Sequence, residues 1–162
     1  MMLAFNSNIN FRMNVPANPI IFLPAFPLNF QMWIPQMDFL RIRNIGFVAV
    51  NYPGFGKSIA LESTSILKGD KGMESYVADI RELLKMLHIA KAIFIGLSMG
   101  GYVALALYRE FPELFTGLVL ANTRASADDE TGRLKRMQMI KELAKTKIRR
   151  RFLTIILPNF LP

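Results

Sequence analysis

Cysteine is absent from this 162-residue chain, and histidine and tryptophan occur once each, as His88 and Trp33. Without cysteine there is neither a disulfide scaffold nor a thiolate-held metal, and the absence fits a reducing, cytoplasmic compartment. Long hydrophobic runs are missing as well. The apolar stretch from Pro19 to Phe30 is interrupted by Pro24 and Pro27 and falls short of a membrane-spanning helix. Met1 to Phe5 is apolar but lacks the basic start of a secretory signal, and Asn6, Ser7, Asn8 and Asn10 break it at once. A soluble, cytoplasmic protein is the expectation.

Acidic residues are scarce in one place only. Residues 1–132 hold 11 basic and 11 acidic residues, whereas residues 133–162 hold nine basic residues against Glu142 alone, so the tail supplies the formal charge of +8. A solvated basic helix explains such a run without a ligand. No nucleic-acid partner is expected from it. A nucleic acid or an anionic membrane surface bound through residues 133–151 is the rival reading of the same charge.

The 52% hydrophobic content supports a single packed core rather than a disordered chain. Four short apolar runs read as strands: Pro19–Leu23, Ile45–Val50, Ala92–Ile95 and Leu118–Ala121. None alternates strictly, as expected of parallel strands covered on both faces. Tyr76, Val77, Ile80, Leu83, Leu84 and Leu87 recur at helical spacing between the second and third runs, and Tyr102 to Arg109 forms a second helix that stops before Pro112. Strand, helix, strand, helix, strand is the order of a doubly wound α/β domain. Asn51 to Gly72 reads as an ordered turn continuing into a long loop. Beyond it, Asp128-Asp129-Glu130 starts a helix with a broad apolar face of Leu134, Met137, Met139, Ile140 and Leu143. Ile148 to Ile156 reads as one more helix.

The chemistry-bearing motif is Gly96-Leu97-Ser98-Met99-Gly100. A Gly-x-Ser-x-Gly pentapeptide alone is a weak signal, but here a strand leads into it and a helix leads out. Such a turn exposes the Ser98 hydroxyl at the C-terminal edge of the sheet, with the Met99 N–H at a helix start suited to an anion. The blander reading is a serine capping the helix between two packing glycines. Gly56-Lys57-Ser58 has the ending of a phosphate loop, but Asn51 stands where that motif needs glycine, so nucleotide binding is rejected and Lys57 reads as an exposed loop charge.

From Pro19 onward the sequence resembles the N-terminal part of an α/β-hydrolase, in the group of small esterases and proline-iminopeptidase-like peptidases. Four blocks carry the resemblance: Leu23-Pro24-Ala25-Phe26-Pro27-Leu28, Asn51-Tyr52-Pro53-Gly54-Phe55-Gly56-Lys57-Ser58, Gly96 to Gly101, and Leu118 to Arg124. The resemblance implies a partial α/β-hydrolase fold, a mostly parallel sheet flanked by helices, with residues 1–127 as core and residues 128–162 as the start of a helical cap. It implies Ser98 as nucleophile, and the backbone N–H groups of Phe26 and Met99 as the oxyanion hole. The implied reaction is attack on an ester or amide acyl carbon, with no cofactor and no metal. Phe26, Met99 and Trp33 would offer an apolar wall to a small uncharged or hydrophobic acyl substrate. Pro24 and Ala25 depart from the usual His-Gly pair, and Ala25 is costly if a glycine conformation is required there.

The base and acid of such a triad are missing. His88 precedes Ser98 and sits at the wrong end of the sheet; Asp79, Asp128 and Asp129 are not placed to serve as the acid. A truncated family member, completed by another chain or self-associating through an exposed sheet edge, is therefore expected. A catalytically inactive fragment or binding module is the alternative.

Overall fold

The fold is seen in a computed structural model that describes residues 3–11, 15–53, 55–56, 58 and 72–145, without the side chains of Met139 and 142–145. The described residues fall into two compact units, one ending at Ala125 and the other beginning at Ser126.

The first unit is a five-stranded sheet. Its strands are β1 (Phe5–Ser7), β2 (Ile20–Leu23), β3 (Phe47–Val50), β4 (Ala92–Leu97) and β5 (Phe115–Ala121), in the spatial order β1-β3-β2-β4-β5. All neighbouring pairs are parallel except β1 with β3. The helices are α1 (Ile34–Ile42), α2 (Met73–Met86) and α3 (Met99–Glu110).

Two clusters of buried side chains fill the two faces of the sheet. On one face, Val77, Ile80, Leu83 and Leu84 of α2 and Val103, Ala104 and Leu107 of α3 pack with Ile21, Leu23, Val48, Val50 and Phe94. On the other, Met37 and Leu40 of α1 pack with Trp33, Phe22, Phe47 and Ala49. β2 and β3 are covered on both sides, which is why their sequences are continuously apolar.

Two elements escaped the sequence reading. β1 is a three-residue edge strand whose neighbours hold it by side chains: the Ser7 hydroxyl donates to the Phe47 carbonyl (2.6 Å), and Asn8 exchanges bonds with Phe47 N–H and the Ile45 carbonyl (both 2.9 Å). α1 starts with Pro35 in its first turn and carries apolar residues on its exposed side too, so its period is faint. The expectation that every strand is covered on both faces fails at β5, where Val119 and Leu120 are 47% and 44% exposed. It is an edge strand among the described residues, so nothing beyond it hides its side chains.

The second unit contains α4 (Glu130–Lys145), capped by Asp129, whose carboxylate accepts the Gly132 N–H at 2.7 Å. Its apolar residues are not a buried face: Leu134, Met137 and Ile140 are each more than half exposed. The helix read at Ile148 to Ile156, most of the loop read at Asn51 to Gly72, and Lys57 lie outside the described residues. No described helix is long and apolar enough to cross a membrane.

Tyr52 is fully buried against Phe55 and Tyr76, and its hydroxyl has no hydrogen-bond partner among the described residues. Burial raises its phenol well above the usual tyrosine value, with Tyr76 adding to the shift. A raised acid pKa means unfolding releases a proton once the pH passes the unfolded value, near 10, so stability falls from there upward. Tyr52→Phe should be neutral or stabilising by about 1 kcal/mol at pH 8. It should also flatten the alkaline decline, as urea titrations at pH 8 and pH 10.5 would show.

Candidate functional site

Ser98 joins β4 to α3 and takes φ 52° and ψ −112°, a conformation that side-chain-bearing residues rarely adopt. Its side chain makes no capping bond to the helix. The capping alternative is thereby removed, because a cap needs extended backbone and an oxygen turned toward the first-turn N–H groups. Backbone bonds hold the turn instead. Ser98 N–H donates to the Ala121 carbonyl (3.0 Å), and the Ser98 carbonyl accepts from Gly101 N–H (2.9 Å) and the Thr123 hydroxyl (2.8 Å). Thr123 drew no attention in the sequence, although it lies in the block after β5 that resembled the family.

Two glycines make this turn sterically feasible. A Cβ on Gly96 would strike the Gly100 carbonyl oxygen, and one on Gly100 would strike the Leu23 carbonyl oxygen, both nearer than any real contact. Close approach, rather than left-handed backbone, is what these positions require. Gly100 therefore seats the start of α3 directly on the end of β2.

From that end of β2 runs the loop bearing Phe26. Pro24 and Ala25 are buried and Phe26 is 38% exposed, with its ring edge-on to Phe55 at 5.7 Å. Leu28 N–H closes a turn on the Ala25 carbonyl (2.8 Å), and Ala25 N–H points at the Met32 sulfur (3.3 Å). Ala25 is not among the residues with positive φ, so the steric cost foreseen for replacing glycine is not incurred.

Asn51 fastens the same loop from the next strand. It is 1% exposed, its side-chain oxygen accepts Phe30 N–H at 2.7 Å, and its backbone binds Ala4 (2.8 Å) and the Ser58 hydroxyl (3.1 Å). Ser58 in turn accepts Ala4 N–H at 3.0 Å, while Gly56, at φ +56°, lies close against the Asn51 amide. Asn51, Gly56 and Ser58 are thus packed into one structural knot. Asn51→Ala would leave the part-buried Phe30 N–H without its side-chain acceptor, and a loss of about 1 kcal/mol in urea denaturation is expected.

The remaining candidates are elsewhere. His88 is exposed and ends α2 at φ 56°, with His88 N–H on the Lys85 carbonyl (3.0 Å) and Ile89 N–H on the Leu84 carbonyl (2.9 Å). That pair of bonds is a helix-ending motif, usually completed by glycine. His88 precedes β4 and Ser98 follows it, so about 20 Å of strand separates them. Asp128 pairs with Arg136 at 2.7 Å and Asp129 caps α4, which gives both carboxylates structural partners. Asp79 lies on α2. Trp33 is 5% exposed and stacks near Phe22 at 4.9 Å, so it belongs to the core and lines no open wall.

The sequence matches the alpha/beta hydrolase fold family over residues 18–153. It is 30% identical over 129 residues to 3-oxoadipate enol-lactonase 2 of Acinetobacter baylyi, covering 80% of this chain and 46% of that protein. Against 3-oxoadipate enol-lactonase 1 of the same organism, identity is 32% over 124 residues, covering 76% and 43%. Among solved structures it is similar to a thermophilic esterase from Thermogutta terrifontis, with a TM-score of 0.76 at 26% identity, covering 96% of this chain and 53% of that one. The chain spans about half the length of these relatives.

Proposed function

The chain belongs to the alpha/beta hydrolase family, and from that premise we propose that it is the nucleophile-bearing half of a serine hydrolase acting on an ester or amide acyl carbon. The observation that carries the proposal is the strained, uncapped backbone of Ser98 at the end of a parallel strand. Strain of roughly 1–3 kcal/mol persists where the surroundings enforce it, and here it leaves the hydroxyl free of helix capping. In the reaction, Ser98 Oγ bonds to the acyl carbon while its proton passes to a base. The carbonyl oxygen takes the negative charge, and the backbone N–H groups of Met99 and Phe26 stabilise it. Collapse of that intermediate breaks the acyl C–O or C–N bond as the base returns its proton to the departing alcohol or amine. Water then attacks the Ser98 ester to release the acid and restore the hydroxyl.

Relatives named as an enol-lactonase and an esterase favour an ester as substrate. The exposed Phe26 ring favours a small uncharged or hydrophobic acyl group. Residues 128–162 are assigned to the start of a cap that shapes substrate choice. His88 lies at the far end of β4, and Asp128 and Asp129 are engaged elsewhere, so this reading assigns the base and its acid to residues outside those described.

An exogenous base provides the test. A fluorophosphonate probe should label Ser98 slowly, and imidazole should speed that labelling by roughly an order of magnitude, part of the ~10²–10⁴-fold that a positioned base contributes. Labelling that imidazole leaves unchanged, or that falls on another residue, would favour the catalytically silent binding module instead.

A further inference from the structure

Ser98 is gripped on both sides by the chain that leaves β5. Its N–H donates to the Ala121 carbonyl at the end of that strand, and its carbonyl accepts the Thr123 hydroxyl at 2.8 Å. Asn122, between them, takes a left-handed φ of 42°. Asparagine tolerates that conformation because its short polar side chain can bond locally. The turn brings Thr123 against the start of α3, where Gly101 leaves room for it. A Cβ on Gly101 would strike the Thr123 methyl and hydroxyl, both at 2.5 Å.

The bonded carbonyl belongs to the same peptide unit as the Met99 N–H. That peptide bond is trans and planar, so its C=O and N–H point in opposite directions and turn together. Gly101 N–H holds the Ser98 carbonyl from within the first turn of α3 (2.9 Å), and Thr123 holds it from outside the helix. Two donors on one oxygen fix the plane, where one would let it pivot. Pivoting is favoured on release, because Ser98 at φ 52° and ψ −112° lies outside the common backbone regions. A hydrogen bond weakens steeply once its donor angle falls below about 120°, so a rotated Met99 N–H would serve an oxyanion poorly. Donation to the carbonyl also polarises the unit and makes its N–H a stronger donor.

We propose that Thr123 is a positioning residue, whose hydroxyl aims the Met99 N–H at the developing oxyanion through the Ser98–Met99 peptide plane. The proposal rests on the serine-hydrolase reading and adds a side chain that acts through a peptide unit rather than on the substrate. A purely structural Thr123 would instead fasten the end of β5 to α3 by packing its methyl against Gly101. The two roles rank substitutions in opposite orders. Valine keeps the shape and the methyl but loses the hydroxyl, whereas serine keeps the hydroxyl and loses the methyl.

Thr123→Val and Thr123→Ser in the full chain separate these roles, with the fluorophosphonate probe and a fixed concentration of imidazole. At saturating probe, Thr123→Val should label Ser98 roughly tenfold more slowly than the parent, part of the ~10²–10³-fold that a whole oxyanion donor contributes. Thr123→Ser should stay within about twofold, because its hydroxyl offers the same donor. The probe concentration giving half the maximal rate should not move, since the loss lies in the reaction and not in binding. The Met99 amide resonance should shift in Thr123→Val and return toward the parent position in Thr123→Ser. Amides of β2 and β3 should stay in place in both, as the control for an intact sheet. Labelling of Thr123→Val at the parental rate, labelling of Thr123→Ser as slow as that of Thr123→Val, or an unshifted Met99 signal would each overturn the proposal. A parent that the probe leaves unlabelled would instead sink the nucleophile reading, and the Met99 signal would still decide whether Thr123 holds the plane.

Discussion

Gly100→Ala should cost the chain roughly 3 kcal/mol or more, toward the upper end of what overpacking a tight contact costs. The added methyl would meet the Leu23 carbonyl group, with the carbonyl carbon at 2.7 Å and the Pro24 oxygen at 3.0 Å. These are backbone atoms, so no rotamer change makes room. Either α3 lifts from β2 or β2 shifts in the sheet, and both motions open the core around Val103, Ala104 and Leu107. Gly72 is the internal control. Among the described residues a methyl there meets only the Glu74 carboxylate, at 3.1 Å on a flexible side chain, so Gly72→Ala should cost clearly less than Gly100→Ala. Paired urea titrations distinguish the two; equal losses would mean that α3 and β2 do not touch as described.

Ser98 yields the other large effect, and two substitutions separate its chemistry from its strain. Ser98→Ala and Ser98→Gly both remove the hydroxyl, so fluorophosphonate labelling should disappear in each. Their stabilities should diverge. Alanine keeps a side chain at φ 52° and ψ −112° and inherits the strain, whereas glycine relieves it. Relief of about 1–3 kcal/mol, less about 0.5–1 kcal/mol for glycine's added freedom when unfolded, leaves Ser98→Gly the more stable by about 1 kcal/mol. Identical unfolding midpoints for the two variants would show that the turn stores no strain.

Much of this was legible in the residues. The apolar runs at β2, β3 and β4 located three parallel strands within a residue or two, because strands inside the sheet are apolar on both faces. β2 and β3 are covered on both, and β4 is buried on one face and half-buried on the other. α2 stood out because its polar and apolar residues segregate cleanly. α1 did not, since Ile34, Phe39 and Ile42 face outward and blur the period. β1 is three residues long, too short for any period, and owes its existence to pairing with β3.

At the site, the motif around Ser98 and the remoteness of His88 followed from order along the chain alone. Sequence could not decide between a strained nucleophile turn and a capping serine, since both want serine between small residues. The backbone angles of Ser98 rule out the cap, and neighbours distant in sequence hold them: Ala121 at the end of β5, Thr123 just after it, and Leu23 beneath Gly100. The role of Asn51 was likewise hidden, because its partner Phe30 starts a short 3-10 helix that only the sheet brings near. Local pattern thus determined which elements form and in what order. Non-local contact decided which backbone atoms meet at Ser98 and which loop Asn51 fastens, since contacts between residues far apart in sequence leave no periodic trace.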